Sequence, residues 1–136
     1  MKNVLSILLV LSILCSCMFT YAFAETRASN YFSSYGTTMS AAGGGGINIT
    51  FKAVGTGLCN QIGVASYQVF KETDEGWVAV SGLLSGQTGT NVASYTFGRY
   101  FQGVAGETYR IQVTFFCSIG TGSEHKSYTS GRITAK

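Results

Sequence analysis

The 136-residue chain has one histidine, His125, one aspartate, Asp74, one tryptophan and no proline. These shortages exclude most catalytic chemistry. A Ser-His-Asp site needs a nucleophile, a base and an orienting acid within hydrogen-bond reach, whereas His125 and Asp74 fall in separate polar turns of the sequence. Only 11% of residues are charged, and Glu72 with Glu75, Glu107, and Glu124 fall in three separate segments, with no acid-rich cleft for glycoside hydrolysis. One histidine beside a pair of disulfide-forming cysteines does not make a zinc site. No enzymatic activity, metal or cofactor is expected. No run of Lys and Arg occurs, so no nucleic-acid partner is implied.

Three local patterns suggest chemistry and do not carry it. The glycine run 43–46 is followed by neither a helix nor a Lys-Ser/Thr pair, so it reads as a turn rather than a phosphate loop. Glu72, Asp74 and Glu75 are too few and too close for a calcium shell of six to eight oxygens. They read as a solvated hairpin loop, with Gly76 suited to a left-handed bulge position. Asn48-Ile49-Thr50 matches a glycosylation sequon but falls inside a strand pattern.

The N-terminus carries the compartment signal. Lys2 is its one charge, residues 4–14 are apolar residues and serines, and Ala22-Phe23-Ala24 offers a small-x-small site. Residues 1–24 therefore read as a secretory signal peptide cleaved after Ala24, with one domain over residues 25–136. Two alternatives stand beside it. Residues 4–24 are about long enough to span a bilayer uncleaved, although the Ala-x-Ala site speaks for cleavage and for no stable membrane span in the mature form. Leu14-Cys15-Ser16-Cys17 weakly resembles a bacterial lipoprotein signal, with Cys17 as a lipid anchor. Losing Lys2 takes the nine basic residues to eight against six acids, a mature charge of +2. Two of the four cysteines leave with the leader. Cys59 and Cys117 remain, and an even pair in an oxidising compartment reads as one disulfide; two free thiols are the alternative.

No helical periodicity is visible after the leader. Short alternating segments recur between Gly, Ser, Thr and Asp clusters, which predicts an all-β sandwich or barrel of about seven strands. The clearest strand is 107–118. Tyr109, Ile111, Val113, Phe115 and Cys117 share one face, and Arg110, Gln112, Thr114, Phe116 and Ser118 share the other. The other expected strands are 30–41, 47–54, 62–72, 77–84, 95–102 and 127–135, with 55–61, 85–91 and 120–126 as loops. The 62–72 segment is apolar on both faces and is expected mid-sheet.

Two resemblances follow from these segments. Gly106-Glu107-Thr108-Tyr109, followed by Ile111, Val113 and Phe115, looks like the sixth-strand corner of immunoglobulin-like and fibronectin type III domains. In those folds a tyrosine hydrogen-bonds back across the corner. The resemblance implies an immunoglobulin-like antiparallel sandwich with Tyr109 at that place. The missing proline and missing buried tryptophan depart from the pattern. A second set of segments covers nearly the whole mature chain: residues 26–32, 43–46, 62–66, 100–106 and 122–127. It resembles a domain-of-unknown-function family of small secreted proteins from Gram-positive, mostly clostridial, bacteria. That likeness implies secretion and a β-sandwich, and no activity. In the immunoglobulin-like arrangement the third and sixth strands are antiparallel neighbours. The resemblance thus places Cys59, ahead of the third strand, beside Cys117, at the end of the sixth.

Aromatic residues are the remaining functional signal. Phe116 lies opposite the core row of its strand, and Tyr95 or Tyr100 must face outward on theirs. These three are the candidate ligand-binding residues, since exposed aromatic platforms bind sugar rings or proteins. The expected function is a secreted, non-enzymatic module that binds an extracellular glycan or protein. The alternative is a bacteriocin- or toxin-like protein acting on membranes, against which stands the lack of a basic amphipathic segment.

Overall fold

In the computed structural model, which describes residues 29–136, the glycine run closes a hairpin between β1 (Phe32–Gly43) and β2 (Gly46–Thr73). Gly43, Gly44 and Gly45 have φ of 83°, 58° and 84°, backbone that a Cβ disfavours. The cleavage site at Ala24 and the lipidation site at Cys17 lie outside the described residues.

β2 alternates as its sequence predicts, burying Ile47, Ile49, Phe51 and Ala53. It then continues unbroken for 28 residues, where two strands joined by a loop over 55–61 were expected. The reason is backbone pairing. Cys59 and Gln61 lie opposite Val92 and Thr90 of β5 (Thr88–Gln102), so this polar stretch stays extended. The expected loop is a bend instead, marked by a register shift between Val54 and Cys59. Gly55 lies so close to Cys59 Sγ that a side chain has no room there. The bend folds β2 back on itself and brings the Phe51 and Tyr67 rings to 5.0 Å.

The two halves of β2 organise two layers. The first half runs between β1 and the C-terminal part of β5. The second half runs between β6 (Thr108–Ile119) on one side and the short β3 (Gly76–Ala79) and β4 (Leu84–Ser85) on the other. β7 (Gly122–Thr129) extends the second layer beyond β6, and β8 (Ile133–Thr134) pairs with the start of β6. Every pairing is antiparallel. One eight-stranded sheet thus curls into an all-β sandwich with immunoglobulin-like order, β1–β2–β5 facing β3–β2–β6–β7. Eight strands replace the expected seven because 47–54 and 62–72 merge into β2, while 77–84 breaks into β3 and β4, and 127–135 into parts of β7 and β8. β5 begins at Thr88 and β7 at Gly122, so much of the expected loops 85–91 and 120–126 is ladder.

The core row of β6 is buried from end to end: Tyr109, Ile111, Val113, Phe115 and Cys117 are each at most 3% exposed. The layers meet where Tyr35 of β1 packs on Phe115 and Tyr128, with ring centroids 5.3 and 6.3 Å apart. Phe101 of β5 meets Tyr109 at 5.5 Å. Tyr109 also closes the turn before β6. Its Oη accepts a hydrogen bond from the Val104 N–H at 2.9 Å, and its ring lies against Gly103. Tyr109→Phe removes that acceptor and keeps the ring. We expect it to lower stability by about 1 kcal/mol, read as a lower urea midpoint at unchanged slope.

Candidate functional site

The outer face of the second layer holds the site. Because β6 alternates, Arg110, Gln112, Thr114 and Phe116 point away from the core row. Register aligns each with its neighbours. Thr114 lies between Ser66 of β2 and Ser127 of β7, and Gln112 between Gln68 and Thr129. Two cross-strand rows of uncharged hydrogen-bonding side chains result, about 7 Å apart along strands spaced about 4.8 Å. They line an open groove of about 250 Å³, with Leu83 at one side. Leu83 is 74% exposed. Among the described residues, Gln68 is the one of these six whose side chain bonds elsewhere in the protein, its amide donating to Ser81 O at 3.0 Å.

Aromatic groups stand one row beyond the polar rows at each end. Phe116 lies opposite His125, with ring centroids 4.9 Å apart and planes tilted by 48°. His125 therefore belongs to a strand, not to the polar loop its sequence suggests, because residues 122–129 pair with β6. At the other end Arg110 lies opposite Phe70, and its guanidinium carbon sits 4.3 Å from the centroid of the Trp77 ring.

The three aromatic candidates do not share one surface. Phe116 borders the groove. Tyr100 is 58% exposed and lies on the first layer, over Gly46, with its hydroxyl donating to Gln102 Oε1 at 2.6 Å. Tyr95 takes the inward parity of β5, half-buried against the core and 5.8 Å from Phe97. Of the pair Tyr95 and Tyr100, it is Tyr100 that faces outward. Sequence reasoning missed the polar rows and the Trp77–Arg110 stack. Strand parity gives the outward residues, but only register shows which ones align.

Cys59 and Cys117 do lie together. Both are buried, and their sulfurs are 3.3 Å apart, as two thiols rather than the expected disulfide. The Cys117 thiol is pushed up to about 12, first by burial and then by the hydrogen bond and charge of Cys59. At neutral pH it therefore stays protonated and is a poor nucleophile. Glu124, facing inward beside Cys117 on β7, is opposed by burial. Its hydrogen bonds from Lys126 and Ser29 win, holding its carboxyl below the usual range. Among the described residues no group of three His, Cys, Asp or Glu side chains converges as a metal site. Among the described residues no helix is long and apolar enough to cross a membrane, which leaves β-barrel spans unaddressed.

Fold and site together define an antiparallel β-sandwich with a polar, aromatic-ended groove on one outer face. No protein-family model matches the chain, and no curated protein matches it. Among solved structures it is similar to a crystal structure of a protein from Archaeoglobus fulgidus, at 16% identity and a TM-score of 0.39, covering 77% of this chain and 98% of that one.

Proposed function

We propose that the protein is a secreted, non-enzymatic module that binds an extracellular glycan in the groove across β2, β6 and β7. The observation that carries this reading is the pair of rows Ser66–Thr114–Ser127 and Gln68–Gln112–Thr129. Hydroxyl and carboxamide groups both donate and accept, which suits a ligand that presents rows of hydroxyls. Concave sites bind through a few placed polar groups beside apolar walls. Here Leu83 supplies the apolar part of the lining, and the Phe116–His125 pair stands one row beyond it. Secretion is supported by the leader pattern of residues 1–24 and by two cysteines brought into contact in the core.

The test is binding of the folded protein to a glycan array that includes cell-wall fragments. We expect saturable binding. The double substitution Gln112→Ala with Thr114→Ala weakens it by about tenfold or more, as loss of two hydrogen bonds implies. Both positions face solvent or lie half-buried, so the fold tolerates the change. A blank array from folded protein contradicts the glycan reading. Dye leakage from liposomes under the same conditions would support the membrane-active alternative in its place.

A further inference from the structure

We propose that the groove takes an acidic saccharide and that Arg110 receives its carboxylate. This rests on the glycan reading above and names the class of sugar. Arg110 stands next to Gln112 on the outer face of β6, about 7 Å further along the strand, and its head group reaches past the end of the polar rows to Trp77 of β3. Stacking on Trp77 at 4.3 Å holds the guanidinium in place. Its Nε is shut off from solvent and donates to nothing. A buried donor without a partner is uncommon, and with Nε covered an anion arriving from solvent must meet the terminal amino groups of the guanidinium.

The charges around it leave Arg110 open to an anion. Among the described residues the ion pairs are Lys71 with Glu107, Lys126 with Glu124 and Arg132 with Glu72. Glu72, two residues along β2 from Phe70 and opposite Trp77, pairs with Arg132 at 2.5 Å, and among the described residues it makes no ion pair with Arg110. A guanidinium already oriented on an aromatic face and half-withdrawn from water is prepared for bidentate contact with a carboxylate. Partial burial also weakens screening of that contact. The neutral rows then read the sugar's hydroxyls while Arg110 reads its acid.

The experiment titrates the protein with hexuronate oligosaccharides (galacturonate, glucuronate and mannuronate) and with their neutral methyl esters, by calorimetry. We expect at least one acid to bind about tenfold more tightly than its ester, a preference that shrinks as sodium chloride is raised. Arg110→Gln abolishes the preference and leaves the ester's affinity within twofold. Arg110→Lys, which keeps the charge and loses the planar fork, serves if the glutamine variant does not fold, and is expected to retain only part of the preference. Equal binding of acid and ester overturns the inference, and so does a preference that survives Arg110→Gln. Array binding of neutral or phosphate-bearing glycans with none of the hexuronates also overturns it, while leaving the glycan reading in place. A blank array removes both.

Discussion

Refolding the denatured, reduced protein in oxidised glutathione, where both thiols are accessible, joins Cys59 to Cys117 and raises its stability by about 4 kcal/mol in the chain-entropy model. The two thiols give up two protons and two electrons, and glutathione disulfide becomes two glutathione thiols. The fold accommodates the bond. The sulfurs are 3.3 Å apart, so closing to a bond of about 2.05 Å needs a side-chain adjustment rather than a change of fold. The bridge spans 58 positions, and removing that much freedom from the unfolded chain gives the magnitude. It also links the bend of β2 to the end of β6, the one place where both cysteines are buried.

The same pair gives the reduced protein a pH signature. The folded Cys117 thiol holds its proton up to about pH 12, whereas the ordinary value is 9.0. A raised folded pKa contributes stability that is complete below the unfolded pKa and declines as pH rises from 9 toward 12. The stability gap between oxidised and reduced protein should therefore widen over that window. Urea midpoints at pH 8 and pH 10.5, with and without oxidation, measure both effects. Equal midpoints for the two redox forms at pH 8 would contradict the expected stabilisation.

Phe115→Ala is expected to cost about 4 kcal/mol. Phe115 is fully buried and receives Tyr35 of the facing layer at 5.3 Å and Tyr128 of β7 at 6.1 Å. Truncation leaves a cavity at the point where the two layers meet, and strands pinned on both sides cannot collapse into it. A loss of that size consumes much of the roughly 5–15 kcal/mol that holds a domain together. Phe116→Ala, one residue on and facing outward against His125, is expected to cost only about 1 kcal/mol. The ratio between neighbours, read by urea unfolding, tests the two-faced reading of β6. Similar losses for both would contradict it.

β6 was legible in the sequence because its apolar residues repeat every second position without interruption, and a half-buried strand is what that period means. The hairpin at 43–46 was legible because only glycine suits three successive positive φ values. The continuity of β2 was not legible. Residues 55–61 contain glycines, a cysteine and two amides, which read as a loop, yet Cys59 and Gln61 pair with β5, and Gly55 and Thr56 find partners at Phe32 and Tyr31. β7 was hidden for the opposite reason. Glu124 and Lys126 take its inward positions, and their salt bridge at 2.7 Å replaces the apolar row that would have announced a strand. Inward charges of this kind are a known way to protect an edge strand from pairing further.

The candidate site was legible only in part. Phe116 stood out as an aromatic residue on the solvent parity of a strand, and it borders the groove. The polar rows did not stand out, because serine, threonine and glutamine are the ordinary occupants of outward strand positions. Their alignment depends on the register of β2, β6 and β7, including the irregularity between Val64 and Ser66 that brings Ser66 opposite Thr114. Trp77 and Arg110 are 33 positions apart in the sequence and meet only because β3 folds back beside β2, along whose other side β6 runs.

The most direct test of the groove is amide chemical-shift mapping of the ¹⁵N-labelled protein, titrated with the saccharide that binds most tightly on the array. Binding at the groove predicts the largest shifts at Ser66, Gln68, Gln112, Thr114, Ser127 and Thr129, with smaller ones at Phe116 and His125 and none around Tyr100. Shifts centred on Tyr100 and the first layer, with the β2–β6–β7 face unmoved, would contradict it.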